Sequence, residues 1–539
     1  VTSARPAQPL TARPFWRRRL LLAALALAVA LTLDACDPAG ESPDADVIPG
    51  DAATTDDAPP GPTLEVSATV AVPNPGAGLS YEVSFRSSAP AVGRVQVACE
   101  GEPPRVVTAA APTPAISHRV WVLGLPAGRD VRLTAVAEAG GARALGEPVT
   151  VHTEPVPATL PTVTLDLRRP DVARAGYTLF GAFDFGAAGA SAGAPPNLVA
   201  VDATGRVAWY YLPGDDLDWG SGRGLVLAPN QHVLAVGGFG LVELDLRGHA
   251  VGRIEASTLG VAALHHDALR LPDGNYVSIA VRLAAMPGVA FSDAAALVDE
   301  VVEFTPDGTV VHRWPLDAYV PLDTAGLDLA RATVDPAFPG IRVVDAFHAN
   351  SLTYSAADGT LLVGLFFQGL LLQFRRQTGE LVASYGRTGS AALDAGGSWF
   401  VGSHGPELGP DGLLLVYDNG FANDGGLPRP CRVVAYQLGQ GPDGAPTARQ
   451  AWQHRSTFLS PILGNVQRLS NGRVLACHGS HLQSASPLRT RPTIDELTPD
   501  GTDVIATQTV ERGPADPGTT PLVIFRAYHL DDLQVGWSE

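Results

Sequence analysis

The sequence predicts an all-β protein, a six-bladed β-propeller preceded by a small β-sandwich. Three observations predict it. Short runs of Val, Leu, Tyr and Trp are broken throughout by Gly and Pro, 58 and 46 of them in 539 residues, and helix formers show no pattern. From about Ala175 two hairpin types alternate. One is apolar–turn–apolar, as in Leu361-Leu362-Val363 after Asp358-Gly359 and Leu413-Leu414-Leu415-Val416 after Asp411-Gly412. Asp-Gly between apolar runs marks a tight hairpin turn. The other sets an acidic or polar residue ahead of its turn: Glu243, Glu303, Gln373 and Glu496. Two hairpins make a four-stranded blade, and six blades are counted. The third observation is that His265, His348 and His404 hold one place in three successive copies of the repeat. The copies read His265-His266-Asp267-Ala268-Leu269, His348-Ala349-Asn350-Ser351-Leu352 and His404-Gly405-Pro406-Glu407-Leu408. A position repeated around a ring converges on one point in space.

The elements follow in order. Arg17-Arg18-Arg19 precedes an apolar run from Leu20 to Leu33 that ends in Leu33-Asp34-Ala35-Cys36. A basic segment followed by a short apolar one is an export signal, here residues 1–36. Its ending resembles a bacterial lipobox, which implies cleavage before Cys36 and a lipid on that sulfur. The expected location is the cell envelope, membrane-held, periplasmic or on the outer surface. Residues 37–62 are rich in Asp, Pro, Ala and Thr and read as a disordered acidic tether. Residues 63–157 alternate as short strands, at Tyr81–Phe85, Gly93–Val97 and Val131–Val136, and predict the sandwich. Within it, Val122–Gly128 resembles the E–F turn of a fibronectin type III domain. Pro155, Pro157 and Pro161 mark a linker, and residues 170–539 are assigned to the propeller. Its first blade lacks a strand, which Val523–Ala527 is expected to supply, closing the ring. Cys99, Cys431 and Cys477 remain beyond the signal. Cys431 and Cys477 are the better placed to bridge, and free thiols are equally open.

The net charge is −18 and every basic residue is Arg. A chain this acidic is a poor nucleic-acid binder, so that partner is set aside. Four residues before each blade's anchoring Leu stand Arg223, His265, His348, His404 and Asn465. One such His is best read as a solvated loop residue. Three at one register, with His266 beside the first, predict a site. Imidazoles serve as nucleophiles, bases and metal ligands. A cluster of His with Arg and Asn, without converging Asp or Glu, suits an anionic substrate. No compact His spacing implies a metal, and no Gly-x-Ser-x-Gly elbow implies a serine hydrolase.

The runs from His404 to Gly420 and from His348 to Leu352, with His265-His266-Asp267, Asn197–Trp209 and Phe525-Arg526-Ala527, resemble bacterial arylsulfotransferases. The likeness covers roughly residues 170–530. It implies transfer of a sulfuryl group from a small aryl sulfate to a phenol acceptor, with no nucleotide donor and no cofactor. It further implies a ping-pong route in which His404 carries the group as sulfohistidine. His348 and His265 or His266 would hold sulfate oxygens or shuttle the phenolic proton, and Asn350 would orient one of them. One departure stands out. The family's Arg, eighteen residues after the position of His348, is here Phe366. Arg223 is the expected substitute, and Phe366 is expected to stack on an aromatic substrate. Arg375 and Arg376 are expected near an outer hairpin, and His478 and His481 are read as extra ligands or exposed loop residues. The readings kept beside this one are a non-catalytic propeller that binds an anion or glycan, and a metal-dependent propeller enzyme.

Overall fold

A computed structural model of the chain describes residues 63–534 apart from 109–112, 186–196, 214–223, 287–293, 323–331, 336, 422–426, 486–487, 517 and 519. The export signal, the tether, Cys36 and Arg223 lie outside the described residues.

Residues 66–152 form a seven-stranded β unit around a core that includes Val83, Phe85, Val95, Val120, Leu125 and Leu133. Two of the expected strands are one. Tyr81–Cys99 runs continuously, its first half paired with Val66–Pro73 and Ala115–Val122, its second with Arg105–Thr108 and Asp130–Ala139. The register breaks between Arg86 and Ala91, around Pro90, so the strand bends without ending.

Six blades follow, each built on four antiparallel strands counted outward from the inner one; blade three adds Thr333–Val334 and Arg342–Asp345, and blade five adds Ala392–Leu393 outside its fourth strand. Blade one pairs Leu522–Leu530, Tyr177–Asp184, Asn197–Asp202 and Val207–Tyr211, so the C-terminal strand supplies the missing inner position. The inner strands of blades two to six are Gly224–Leu227, Leu264–Arg270, Ala349–Ser355, Ser403–Leu408 and Asn465–Arg468. Each inner strand touches the next, and Leu522–Leu530 touches both the last and the first. That cycle closes the propeller. Blade six gains a fifth, outermost strand, Thr162–Leu167, from the segment the sequence had left between the two domains.

Six apolar clusters fill the six gaps between blades. Leu225, Val242 and Trp209 serve blades one and two; Leu264, Phe304 and Val236 serve two and three; Phe347, Phe374 and Val301 serve three and four. Leu371, Tyr436 and Val416 serve four and five, Tyr417, Val433 and Leu497 five and six, and Phe180, Val199 and Ile494 six and one. The alternation of apolar residues in the hairpins is therefore the packing between neighbouring sheets. The three cysteines are free thiols, Cys431 and Cys477 both buried.

Candidate active site

The inner strands deliver the histidines through a shared irregularity. Pairing with the second strand slips between His265 and Ala268, between Ala349 and Ser351, and between His404 and Glu407. The closing strand slips between Ile524 and Ala527. A bulge bends the strand end and re-aims the side chains there. His266 and His348 both adopt left-handed backbone, at φ 59° and 52°. Such strain in residues other than Gly persists only where packing holds it, and it concentrates at functional sites. Gly405 has φ 43°, and a Cβ there would meet the Cβ of Asn465 at 2.4 Å, so no larger residue fits after His404.

The rings meet. His266 stands 4.8 Å from His348, centroid to centroid, and Phe366 lies 5.9 Å from His348 and 4.9 Å from His404. His265 stands behind His266, their Nδ1 atoms 2.6 Å apart. Phe367 stacks on His348 at 4.9 Å, Phe421 on Phe366 at 6.2 Å, and Phe525 lies 6.0 Å from His266. The result is a group of imidazoles walled by phenyl rings.

Hydrogen bonds fix the proton positions. Asn419 donates from Nδ2 to the carbonyls of Ser460 (2.7 Å) and Leu463 (2.9 Å). Its Oδ1 must therefore be the atom 2.7 Å from His404 Nδ1, and that nitrogen must carry the hydrogen. Nε2 of His404 keeps a bare lone pair. Burial, together with the charges of His348 and Arg526 and against the pull of Asn419, pushes His404 down to about 3, so it is neutral at pH 7. His348 is shifted the other way. Burial resists its charge, but the Asp345 carboxylate, 2.6 Å from Nδ1, outweighs burial and raises it. Its Nε2 faces away from Asp345 as a proton donor. His265 Nε2 lies 3.1 Å from Asp299 Oδ1. Burial first, then the neighbouring imidazoles of His348, His265 and His404 and the Arg526 guanidinium, hold His266 well below the usual imidazole range.

Acidic residues therefore do converge here, which corrects the sequence analysis. Asp299 comes from the third strand of blade three and Asp345 from the approach to blade four. Both lie off the repeated register, so the repeat gave no signal of them. Asn419 lies within the run from His404 to Gly420, and nothing local in the sequence assigns it a role. The remaining expected residues are placed as follows. Asn350 does not orient an imidazole; its Nδ2 donates to the carbonyl of Ser403 (2.8 Å), tying blade four to the residue before His404. Asn465 bonds the backbone of Ala527 twice, at 2.9 and 3.0 Å. Phe366 is inside the cluster. Arg376 pairs with Glu303 and Asp273 on the blade flank. His478 is not exposed but buried against Asp495, Tyr417 and Cys431, and His481 stacks on Phe458. Among the described residues, no three His, Cys, Asp or Glu side chains are grouped as metal ligands.

The family model described as Arylsulfotransferase (ASST) matches residues 188–517, more than half of the chain. The chain belongs to the arylsulfotransferase family. This arylsulfotransferase is accordingly a sulfotransferase enzyme on a six-bladed propeller, and its family implies small aryl sulfates and phenols as substrates. No curated protein matches it. Among solved structures it is similar to a protein of unknown function from Bacteroides caccae (13% identity, 65% of this chain and 98% of that one, TM-score 0.36). It is also similar to a periplasmic gluconolactonase of Pseudomonas aeruginosa (14%, 65% and 100%, TM-score 0.34) and to a putative 6-phosphogluconolactonase from Bacteroides uniformis (12%, 81% and 99%, TM-score 0.32). Likeness at that level carries no argument about the arylsulfotransferase's chemistry.

Proposed function

We propose that this arylsulfotransferase works by ping-pong transfer through a sulfohistidine at His404. The observation that carries the reading is the tautomer of His404, with hydrogen on Nδ1 held by Asn419 and a bare, neutral Nε2 in a buried pocket. A neutral nitrogen with an exposed lone pair is what attack on sulfur requires. In the first half-reaction the Nε2–S bond forms and the aryl O–S bond breaks. The electron pair leaves on the phenolic oxygen, which takes the proton of His348. In the second, the hydroxyl of the acceptor phenol returns a proton to His348 as its oxygen bonds to sulfur. The Nε2–S bond breaks and His404 regains its lone pair. Protons and charge balance over the cycle, and one residue acts as acid and then as base. His266, whose ring stands 4.8 Å from that of His348, lines the site beside the proton carrier. The phenyl rings of Phe366, Phe367 and Phe421 provide faces on which an aryl group stacks. Dividing one hard transfer into two easier ones leaves the protein the work of positioning and charge stabilisation.

The same reading includes export and a lipid on Cys36 that holds the enzyme at the cell envelope, supported by Arg17–Arg19, the apolar run and Leu33-Asp34-Ala35-Cys36. The test is the intact mass of the protein after exposure to an aryl sulfate without acceptor. One added sulfuryl group is expected, discharged by phenol, and absent in His404→Ala. Labelling retained in His404→Ala overturns the assignment.

A further inference from the structure

The pocket described above lacks the cation its chemistry asks for at one place and holds an unassigned cation at another. Phe366 occupies the second strand's exit in blade four, where the sequence comparison expected a guanidinium. His404 and His266 are kept neutral. An arriving sulfate ester carries a negative charge that three equatorial oxygens share, and a buried site must meet that charge with fixed donors.

Arg526 is the buried guanidinium at this point of the fold. It sits in the bulge of the closing strand, beside Phe525, whose ring reaches His266 at 6.0 Å. Its Nη2 donates to Asp267 Oδ2 (2.8 Å) and to the carbonyl of Asn350 (2.9 Å), and Nη1 reaches the hydroxyl of Tyr528 at 3.4 Å. Nε is buried with no partner. Burial opposes the Arg526 charge, but Asp267 outweighs it and holds the group protonated. Its charge reaches both His404 and His266, helping to keep each neutral. Asp267 is itself held by the backbone N–H groups of Leu352 (2.7 Å) and Ala268 (2.9 Å), so the ion pair is anchored to blades three and four. An orphaned buried N–H is destabilising unless something comes to satisfy it. A planar guanidinium with one edge locked and one N–H free is pre-organised for an oxyanion.

We propose that Arg526 is the fixed cation that grips the sulfate oxygens at this site. Its ligand is an oxyanion of sulfate geometry. The proposal rests on the sulfotransferase reading of the His404 pocket, and its test is a binding measurement that needs no turnover. Titration calorimetry with inorganic sulfate is carried out on the full chain. The wild type is expected to bind sulfate and to keep most of that affinity as rising pH takes the protons from the imidazoles, because a guanidinium stays charged there. Two variants follow. Arg526→Lys keeps the charge and loses the fork. The pair Asp267→Asn/Arg526→Gln removes both charges together, which avoids stranding a buried carboxylate. Each is expected to weaken sulfate binding by about tenfold to a hundredfold, the range of a charge-assisted hydrogen bond, with phenol affinity unchanged. Arg223→Ala is measured alongside as the competing cation.

No sulfate binding by the wild type, or binding lost as the imidazoles deprotonate, overturns the proposal, and this arm needs no folded variant. So does a sulfate affinity within about twofold of wild type in a folded Arg526 variant, or a loss confined to Arg223→Ala. If Arg526 governs sulfate affinity but no aryl sulfate labels His404, the grip stands and the covalent reading fails. The two are thereby separable.

Discussion

His404 and His348 lie in one site with their pKa values shifted in opposite directions, and the cause is the partner on each Nδ1. An amide oxygen from Asn419 orients His404 without stabilising a charge strongly enough to overcome burial. A carboxylate from Asp345 does overcome it. This difference predicts the shape of the pH profile. The Nε2 lone pair of His404 is available wherever the ring is neutral, which at about 3 covers the whole physiological range. The donor form of His348 is lost as pH rises through a value above that of free imidazole, about 6.5. With a poorly activated aryl sulfate, whose leaving oxygen needs a proton, kcat/KM is expected to be flat on the acid side and to fall on the alkaline side. Asp345→Asn removes the charge that raises His348, so the alkaline limb should move toward acid. A profile unmoved by that substitution would separate His348 from proton transfer.

At the scale of elements, the closing strand does two jobs. Leu522–Leu530 completes blade one against Tyr177–Asp184, and it brings Phe525 and Arg526 beside the histidines. Asn465 is the clasp, since its amide both donates to and accepts from the backbone of Ala527, 62 residues away. Asn465→Ala leaves a buried N–H and a buried carbonyl unpaired, at about 1–3 kcal/mol each. We expect a lower urea midpoint with an unchanged slope, and an unchanged midpoint would show the ring closing without this clasp. The same strand marks the limit of the sequence. Hairpin grammar made the blades and the histidine register legible, because each Asp-Gly turn and each strand is written locally. It also pointed to Val523–Ala527 as the missing strand. What stayed hidden is pairing across the ring. Arg526 meets Asp267 over 259 positions, and Asp299 and Asp345 reach the imidazoles from strands whose local pattern is ordinary. Asn465 was legible as a polar residue at the right register, yet only the assembled ring shows that its partner is backbone.

Over the whole molecule, the acidic residues of the second hairpin type are ties between blades. Glu243 of blade two receives Arg270 and Tyr276 of blade three, together with His232 of its own blade. Glu303 of blade three receives Arg376 of blade four, through Nε at 3.0 Å and through Nη2. Glu496 of blade six receives Arg174, which precedes blade one, at 2.6 Å. Gln373 holds the same place in blade four and bonds Thr360, Asp358 and Tyr385 of its own sheet, so a neutral residue stands where no arginine arrives. These pairs set the rotation of one blade against the next, and the pocket at the axis needs that rotation, because its residues come from four blades. Two charges taken from water repay little net stability when they meet, but one left alone is expensive. Glu303→Gln strands the Arg376 guanidinium with only the half-exposed Asp273 and is expected to cost about 3–5 kcal/mol, against a much smaller loss for the paired change Glu303→Leu/Arg376→Met. Urea unfolding of the two variants decides. If both lose equally, packing of the side chains holds the blades and the charges are incidental. If the paired variant is stable but transfers sulfate slowly, the ion pair serves alignment of the ring, and the site feels it through the blade-three and blade-four strands that carry His266 and His348.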